Sequence, residues 1–130
     1  MKFLSNSGLA YLITKLTGIG FVVETGSANG WVYRKWNSGV AECWQHTSAA
    51  STAMTQTSGT GYYTSCSGWN FPSGLFISAP TVTIKTKSAQ GLINACCYFI
   101  NKDYMSFFVY CTVSTTQNIE FMNYAVGYWK

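Results

Sequence analysis

The stretch Trp31-Val32-Tyr33-Arg34-Lys35-Trp36-Asn37-Ser38-Gly39-Val40-Ala41-Glu42-Cys43-Trp44 decides the fold. Two runs rich in aromatic and β-branched residues flank Asn37-Ser38-Gly39. That is a three-residue hairpin connection with glycine last, where the left-handed backbone is required. Closing the hairpin on this loop pairs Trp36 with Val40, Lys35 with Ala41, Arg34 with Glu42, Tyr33 with Cys43 and Val32 with Trp44. One face then carries Val32, Arg34 and Trp36 against Trp44, Glu42 and Val40. An ion pair set between two tryptophans is expected to be partly shielded, fixing register or a subunit contact. The plainer alternative is an ordinary cross-strand pair worth well under ~1 kcal/mol.

Outward from the hairpin the period stays at two. Phe21 to Glu24 reads as a strand, and Gly26 to Gly30 as a turn rich in Gly, Ser and Asn. Further strands are expected at Tyr62 to Cys66, Leu75 to Ile77, Thr81 to Lys87, Leu92 to Ile100, Met105 to Val113 and Ile119 to Tyr128. The segment from His46 to Gly61 is a stretch of Thr, Ser, Ala and Gly with no clear period. In the strand from Met105, Phe107, Val109 and Cys111 alternate with Phe108 and Tyr110, so both faces are apolar. Such strands lie between packed layers or at a subunit interface. Only Ser7 to Leu16 is helical: Leu9, Leu12, Ile13 and Leu16 form one stripe, with Ser7 as N-cap and Gly18 as stop. About three turns are marginal alone in water, so the stripe needs a partner. The expected architecture is mainly β, an antiparallel β-sandwich, with residues 1–18 as a helical segment and 19–130 as the sandwich.

Composition narrows the function. The chain has 130 residues, of which 9 % are charged, 17 % aromatic and 48 % hydrophobic, with a formal net charge of +4. This suits one folded domain and excludes disorder. Its apolar runs are strand length, so no membrane insertion is expected. The cations are scattered, with only Arg34-Lys35 adjacent, which argues against nucleic acid. The 14 serines and 15 threonines take the place of charge, and so weakly charged a surface suits an assembly.

The five cysteines, Cys43, Cys66, Cys96, Cys97 and Cys111, are odd in number and irregularly spaced. Reduced thiols in a protein made in a cytoplasm are expected, with no disulfide framework. Met1-Lys2-Phe3-Leu4 begins like a signal peptide, but Ser5-Asn6-Ser7-Gly8 interrupts it and Lys15 falls where an uncharged core would lie. No structural metal site is expected, because His46 is the single histidine and Cys-x-x-Cys is absent. No cofactor is implied. Catalysis is not expected either: the carboxylates are Asp103, Glu24, Glu42 and Glu120, Glu42 is engaged by Arg34, and Cys43 and His46 face opposite sides of a strand. Sugar binding needs less, namely flat aromatics with polar groups beside them. Tyr62, Tyr63, Trp69 and Asn70 offer that chemistry in a loop-rich region. The competing reading makes Tyr62 and Trp69 core aromatics.

The hairpin, with Phe21-Val22-Val23-Glu24-Thr25-Gly26 before it, resembles a motif of tail-fibre and baseplate tips of bacteriophages and prophages of gut Firmicutes. The stretches Leu75-Phe76-Ile77-Ser78-Ala79-Pro80-Thr81-Val82-Thr83-Ile84 and Ala125-Val126-Gly127-Tyr128-Trp129-Lys130 resemble further parts of that family. So does the helical segment from Ser7 to Leu16. The resemblance implies a viral structural protein, a sandwich similar to H-type-lectin-like or jelly-roll-like fibre tips, and a homotrimer. It further implies residence in the virion tail after synthesis in the host cytoplasm, contact with other phage tail proteins, and attachment to a bacterial surface polysaccharide. The alternative is a trimerisation or capping module with no receptor of its own.

Overall fold

The computed structural model describes residues 5–18 and 20–130. Met1 to Leu4, on which the signal-peptide reading rests, lie outside the described residues, as do Ile19 and the side chain of Leu16. The elements are α1 (Asn6–Gly18), β1 (Val22–Ala28), β2 (Trp31–Trp36), β3 (Val40–Ala53), β4 (Gln56–Ser58), β5 (Gly61–Asn70), β6 (Thr81–Lys87), β7 (Ile93–Ile100), β8 (Tyr104–Cys111) and β9 (Thr116–Tyr128). Two antiparallel sheets form a β-sandwich. A five-stranded sheet runs β1-β2-β3-β9-β6, and a four-stranded sheet runs β4-β5-β8-β7.

The hairpin fixes the five-stranded sheet. Val32 pairs with Trp44, Tyr33 with Cys43, Arg34 with Glu42 and Lys35 with Ala41. Gly39, at φ 98°, closes the loop by donating its N–H to the Trp36 carbonyl at 3.0 Å. Alternation then sends Trp31, Ala41 and Cys43 inward, with Phe121 and Ala125 of β9 beside them. They meet Met105, Phe107, Val109 and Cys111 of β8. Trp69 bridges the layers, its ring 5.0 Å from both Phe107 and Phe121. Fully burying a side chain of this size stabilises by roughly 1.5–3 kcal/mol.

Several local expectations are corrected. The N-cap is Ser5, whose Oγ accepts the Gly8 N–H at 3.1 Å, while Ser7 lies inside the first turn. β1 continues to Ala28, and the turn shrinks to Asn29-Gly30, both at positive φ (55° and 81°), as a type I′ turn requires. The second strand of the hairpin continues as β3 to Ala53, because β9 pairs with it from Val40–Tyr128 to Ala53–Thr116, with a bulge between Ala49 and Thr52. Gln56–Ser58 adds an edge strand within the stretch that shows no clear period in the sequence. Leu75 to Ile77 is no strand. It belongs to a turn closed by Leu75 N–H to the Pro72 carbonyl, and it plugs the sandwich with Leu75 and Phe76, both nearly inaccessible.

The outer faces differ from the inner ones in a telling way. Phe108 and Tyr110 point away from the core with no second layer over them, and Tyr110 is 38 % exposed. On α1, Leu9, Leu12 and Ile13 are 47 %, 43 % and 53 % exposed. Cys97 turns toward the core and Cys96 away from it, as neighbours on a strand must.

Candidate functional site

The outer face of the five-stranded sheet centres on the Arg34–Glu42 pair. Arg34 Nε–H donates to Glu42 Oε1, Trp36 Nε1–H donates to the same oxygen at 3.3 Å, and the Tyr124 hydroxyl donates to Oε2. The Arg34 guanidinium lies between two indoles, 5.5 Å from the Trp36 ring centre and 5.0 Å from that of Trp44. The Glu42 side chain is 12 % exposed and that of Arg34 42 %. Partial burial raises the Glu42 pKa, but the hydrogen bonds from Tyr124, Arg34 and Trp36 outweigh it and hold the carboxyl below its ordinary value. The same bond, with burial, pushes the Tyr124 phenol up to about 12. Every strong acceptor here is engaged, so the cluster pins β2, β3 and β9 together.

The four residues expected to meet sugar separate by strand parity. Tyr62 pairs with Cys111 and packs against the core. Tyr63, one residue on, pairs with Tyr110 on the outer face of the four-stranded sheet. There its ring meets Phe108 edge-on at 5.2 Å, and Tyr98 stacks on the other side of Phe108 at 4.2 Å. Ser65 and Tyr98 join their hydroxyls at 3.1 Å, which holds the Tyr98 ring in place. Tyr110 lies over Gly61, where a Cβ would fall 2.0 Å from its hydroxyl oxygen, so a glycine is needed for the ring to settle there. The result is an aromatic tray opening into a cavity of ≈ 510 Å³, edged by Thr57, Ser58 and Asn94 and lined by no charged residue.

Trp69 and Asn70 meet elsewhere. A bulge between Cys66 and Trp69, with Gly68 at φ 70°, resets the parity of β5. It turns Trp69 inward and leaves Asn70 at the rim of a separate cleft between the sheets. Phe108 and Tyr110 of β8, absent from the expected set, are brought to Tyr63 by strand pairing, and the two-sided apolar pattern of β8 signalled them. Tyr98 of β7, also absent from that set, sits at the register shift between Cys97 and Phe99.

Among the described residues, Cys43 and His46 stand on opposite faces of β3. Cys43 faces the core, where burial, reinforced by the Glu42 charge, pushes its thiol up to about 12. His46 faces outward and meets Glu120 at 3.2 Å, with Lys87 3.5 Å away on the other carboxylate oxygen. The Glu120 carboxyl is held below its ordinary value, chiefly by the His46 hydrogen bond. Among the described residues no group of three metal-ligating side chains comes together, and no helix is long and apolar enough to cross a membrane.

Fold and surface together define a two-sheet β-sandwich with an uncharged aromatic surface on one face and an exposed apolar helix at its N-terminal end. Two solved structures share this fold. An N-truncated R1-type pyocin tail fibre superposes with a TM-score of 0.60 at 13 % identity, covering 98 % of this chain and 100 % of that one. A C-terminal portion of the P. aeruginosa R1 pyocin fibre gives a TM-score of 0.60 at 14 % identity over 95 % of this chain, which spans 32 % of the fibre portion. No protein-family model and no curated protein matches the sequence.

Proposed function

We propose that this chain is a non-enzymatic tip module of a phage-type tail fibre or baseplate, which trimerises and attaches to a bacterial surface glycan. The observation that carries the reading is the tray of Tyr63, Phe108 and Tyr98. It is an uncharged aromatic cluster, Tyr63 edge-on to Phe108 and Tyr98 stacked on it, whose ring edges with the hydroxyl and amide groups of the adjoining cavity suit the apolar face of a sugar ring. The likeness in fold to the pyocin fibres supports it. In this reading the protein resides in the virion tail, is made in the host cytoplasm, and meets other tail proteins through its N-terminal side. The helices gather near a three-fold axis and cover Leu9, Leu12 and Ile13.

The purified protein should adsorb to intact host bacteria and lose adsorption when surface polysaccharide is stripped away. Tyr63→Ala and Phe108→Ala should each weaken adsorption about tenfold, the equivalent of losing roughly 1.4 kcal/mol of apolar contact with the sugar. Adsorption indifferent to stripping would sink the glycan claim. The exposed helical stripe favours a second reading, a trimerisation or capping module without a receptor. That reading gains if the protein is trimeric yet adsorbs to no bacterium.

A further inference from the structure

We infer that the cleft holding Trp69 and Asn70 is a second, chemically distinct sugar site, selective for an N-acetylated hexosamine. The cleft has a volume of ≈ 470 Å³ and lies between the sheets at the Asn29-Gly30 turn. Its walls come from both layers. Asn29 is in the β1–β2 turn, Gln45 and Thr47 are on the inner side of β3, and Ser67 to Asn70 form the bulged end of β5. No charged side chain lines it, so a neutral ligand is specified.

The polar groups are aimed by their neighbours. Asn29 Nδ2 donates to the Phe71 carbonyl at 2.8 Å, which leaves Oδ1 as the free acceptor. Gln45 Oε1 accepts from Asn123 Nδ2 at 3.4 Å, which leaves Nε2 as the free donor. Nε2 lies over Gly30, where a Cβ would come within 3.1 Å of it, so glycine at this turn keeps the donor uncovered. Behind Gln45, Asn123 is only 3 % exposed and its Oδ1 has no partner. A buried acceptor left unmet is costly in a finished core and ordinary beside a site that takes up water or ligand. Trp69, held by Phe107 and Phe121, supplies a rigid apolar wall, with Trp31 inaccessible beneath.

One acceptor, one donor and an indole are the complement of an acetamido group. Its N–H suits Asn29 Oδ1, its carbonyl suits Gln45 Nε2–H, and its methyl suits the Trp69 face. A plain hexose offers hydroxyls for Thr47 and Ser67 but nothing for the indole and the amide pair at once. Selectivity of this kind is large, because a site built to bond a group rejects the analogue lacking it. The assignment does not depend on the tray: the two sites share no lining residue.

Saturation-transfer NMR on the intact chain with N-acetylglucosamine, N-acetylgalactosamine, glucose and galactose tests it. At least one N-acetyl sugar should bind saturably, with its acetyl methyl the most strongly saturated group, and at least tenfold tighter than the plain hexoses. Gln45→Met removes the donor for the acetyl carbonyl and should weaken binding at least fivefold while thermal unfolding shows the chain still folded, whereas Tyr63→Ala should leave it intact. No signal from either N-acetyl sugar, equal binding of glucose, or unaltered binding in the folded Gln45→Met variant would overturn the assignment. Loss of binding in Tyr63→Ala would overturn it too, by moving the sugar to the tray. Failure of these arms with polysaccharide-dependent adsorption intact removes this site alone and leaves the proposed function standing.

Discussion

Replacing Glu42 by alanine deletes the acceptor of three hydrogen bonds and leaves the Arg34 cation between two indoles without a counter-charge. Removing one partner of a fully buried pair costs roughly 3–5 kcal/mol, and of a wet pair about 1 kcal/mol or less. The sequence alone argues for the larger figure. The structure lowers it, because the Arg34 side chain is 42 % exposed and can rehydrate once released. The Glu42 carboxylate itself is mostly shielded, so its lost bonds count more than those of a surface pair. The expected cost of Glu42→Ala is therefore about 2–3 kcal/mol, a drop in Tm of about 8–12 °C for a domain of this size. Arg34→Met keeps the stem that packs between Trp36 and Trp44 but removes the charge. Added to Glu42→Ala, it should recover about 1 kcal/mol. Guanidinium unfolding followed by tryptophan fluorescence, at one fixed protein concentration, gives the full double-mutant cycle. A coupling energy below about 0.3 kcal/mol would refute the reasoning, since the charges would then be independent despite their contact.

The proposed trimer should fall to monomers in Leu12→Asp by light scattering, because Leu9, Leu12 and Ile13 of α1 are exposed among the described residues; an unchanged mass would refute trimerisation through the helix. Thiol counting in denaturant without reductant should find all five cysteines, and three or fewer would point to disulfides and an oxidising compartment. Glu42 has a folded pKa below the ordinary 4.5, so its stabilisation is complete above that value and is lost as pH falls below it. Glu42→Gln should therefore flatten the acid limb of the stability profile, and a limb as steep as before would count against the pairing. Tyr124, raised to about 12, should titrate above the ordinary tyrosine range by ultraviolet absorbance, and Glu42→Gln should bring it back toward 10.

The parts of the fold legible in sequence were those where a local rule had no competitor. Asn37-Ser38-Gly39 permits one hairpin register, and alternation then orders everything from Val32 to Trp44. His46 to Ala53 carried no such signal. Its small polar residues are held in a strand by Phe121 and Ile119 across the ladder, some seventy residues away. Leu75 and Phe76 failed in the opposite sense: apolar residues read as a strand because burial, not pairing, selected them. The recognition surfaces were half legible for the same reason. Tyr63 stands in the aromatic segment, but its platform comes from β7 and β8. Trp69 and Asn70 owe their separation from it to a bulge at Gly68, whose left-handed backbone no neighbouring residue announces.

The position of β9 has a kinetic consequence. It follows every other strand in the chain, yet it lies inside the five-stranded sheet, between β3 and β6. Until it is synthesised, β3 and β6 present unpaired edges, and the first hairpin has no inner neighbour. The residues after it then lock that hairpin, as Trp129 donates its backbone N–H to the Gly39 carbonyl and its indole N–H to the Trp36 carbonyl, both at 2.9 Å. Folding must therefore wait for the end of this sequence to emerge, and it proceeds through long-range closures that are intrinsically slow. In the interval the nascent chain exposes strand edges able to pair with its siblings. Copies of this chain made side by side are therefore exposed to edge pairing until β9 is in place, and a shortened chain lacking β9 should aggregate rather than leave a smaller soluble sandwich.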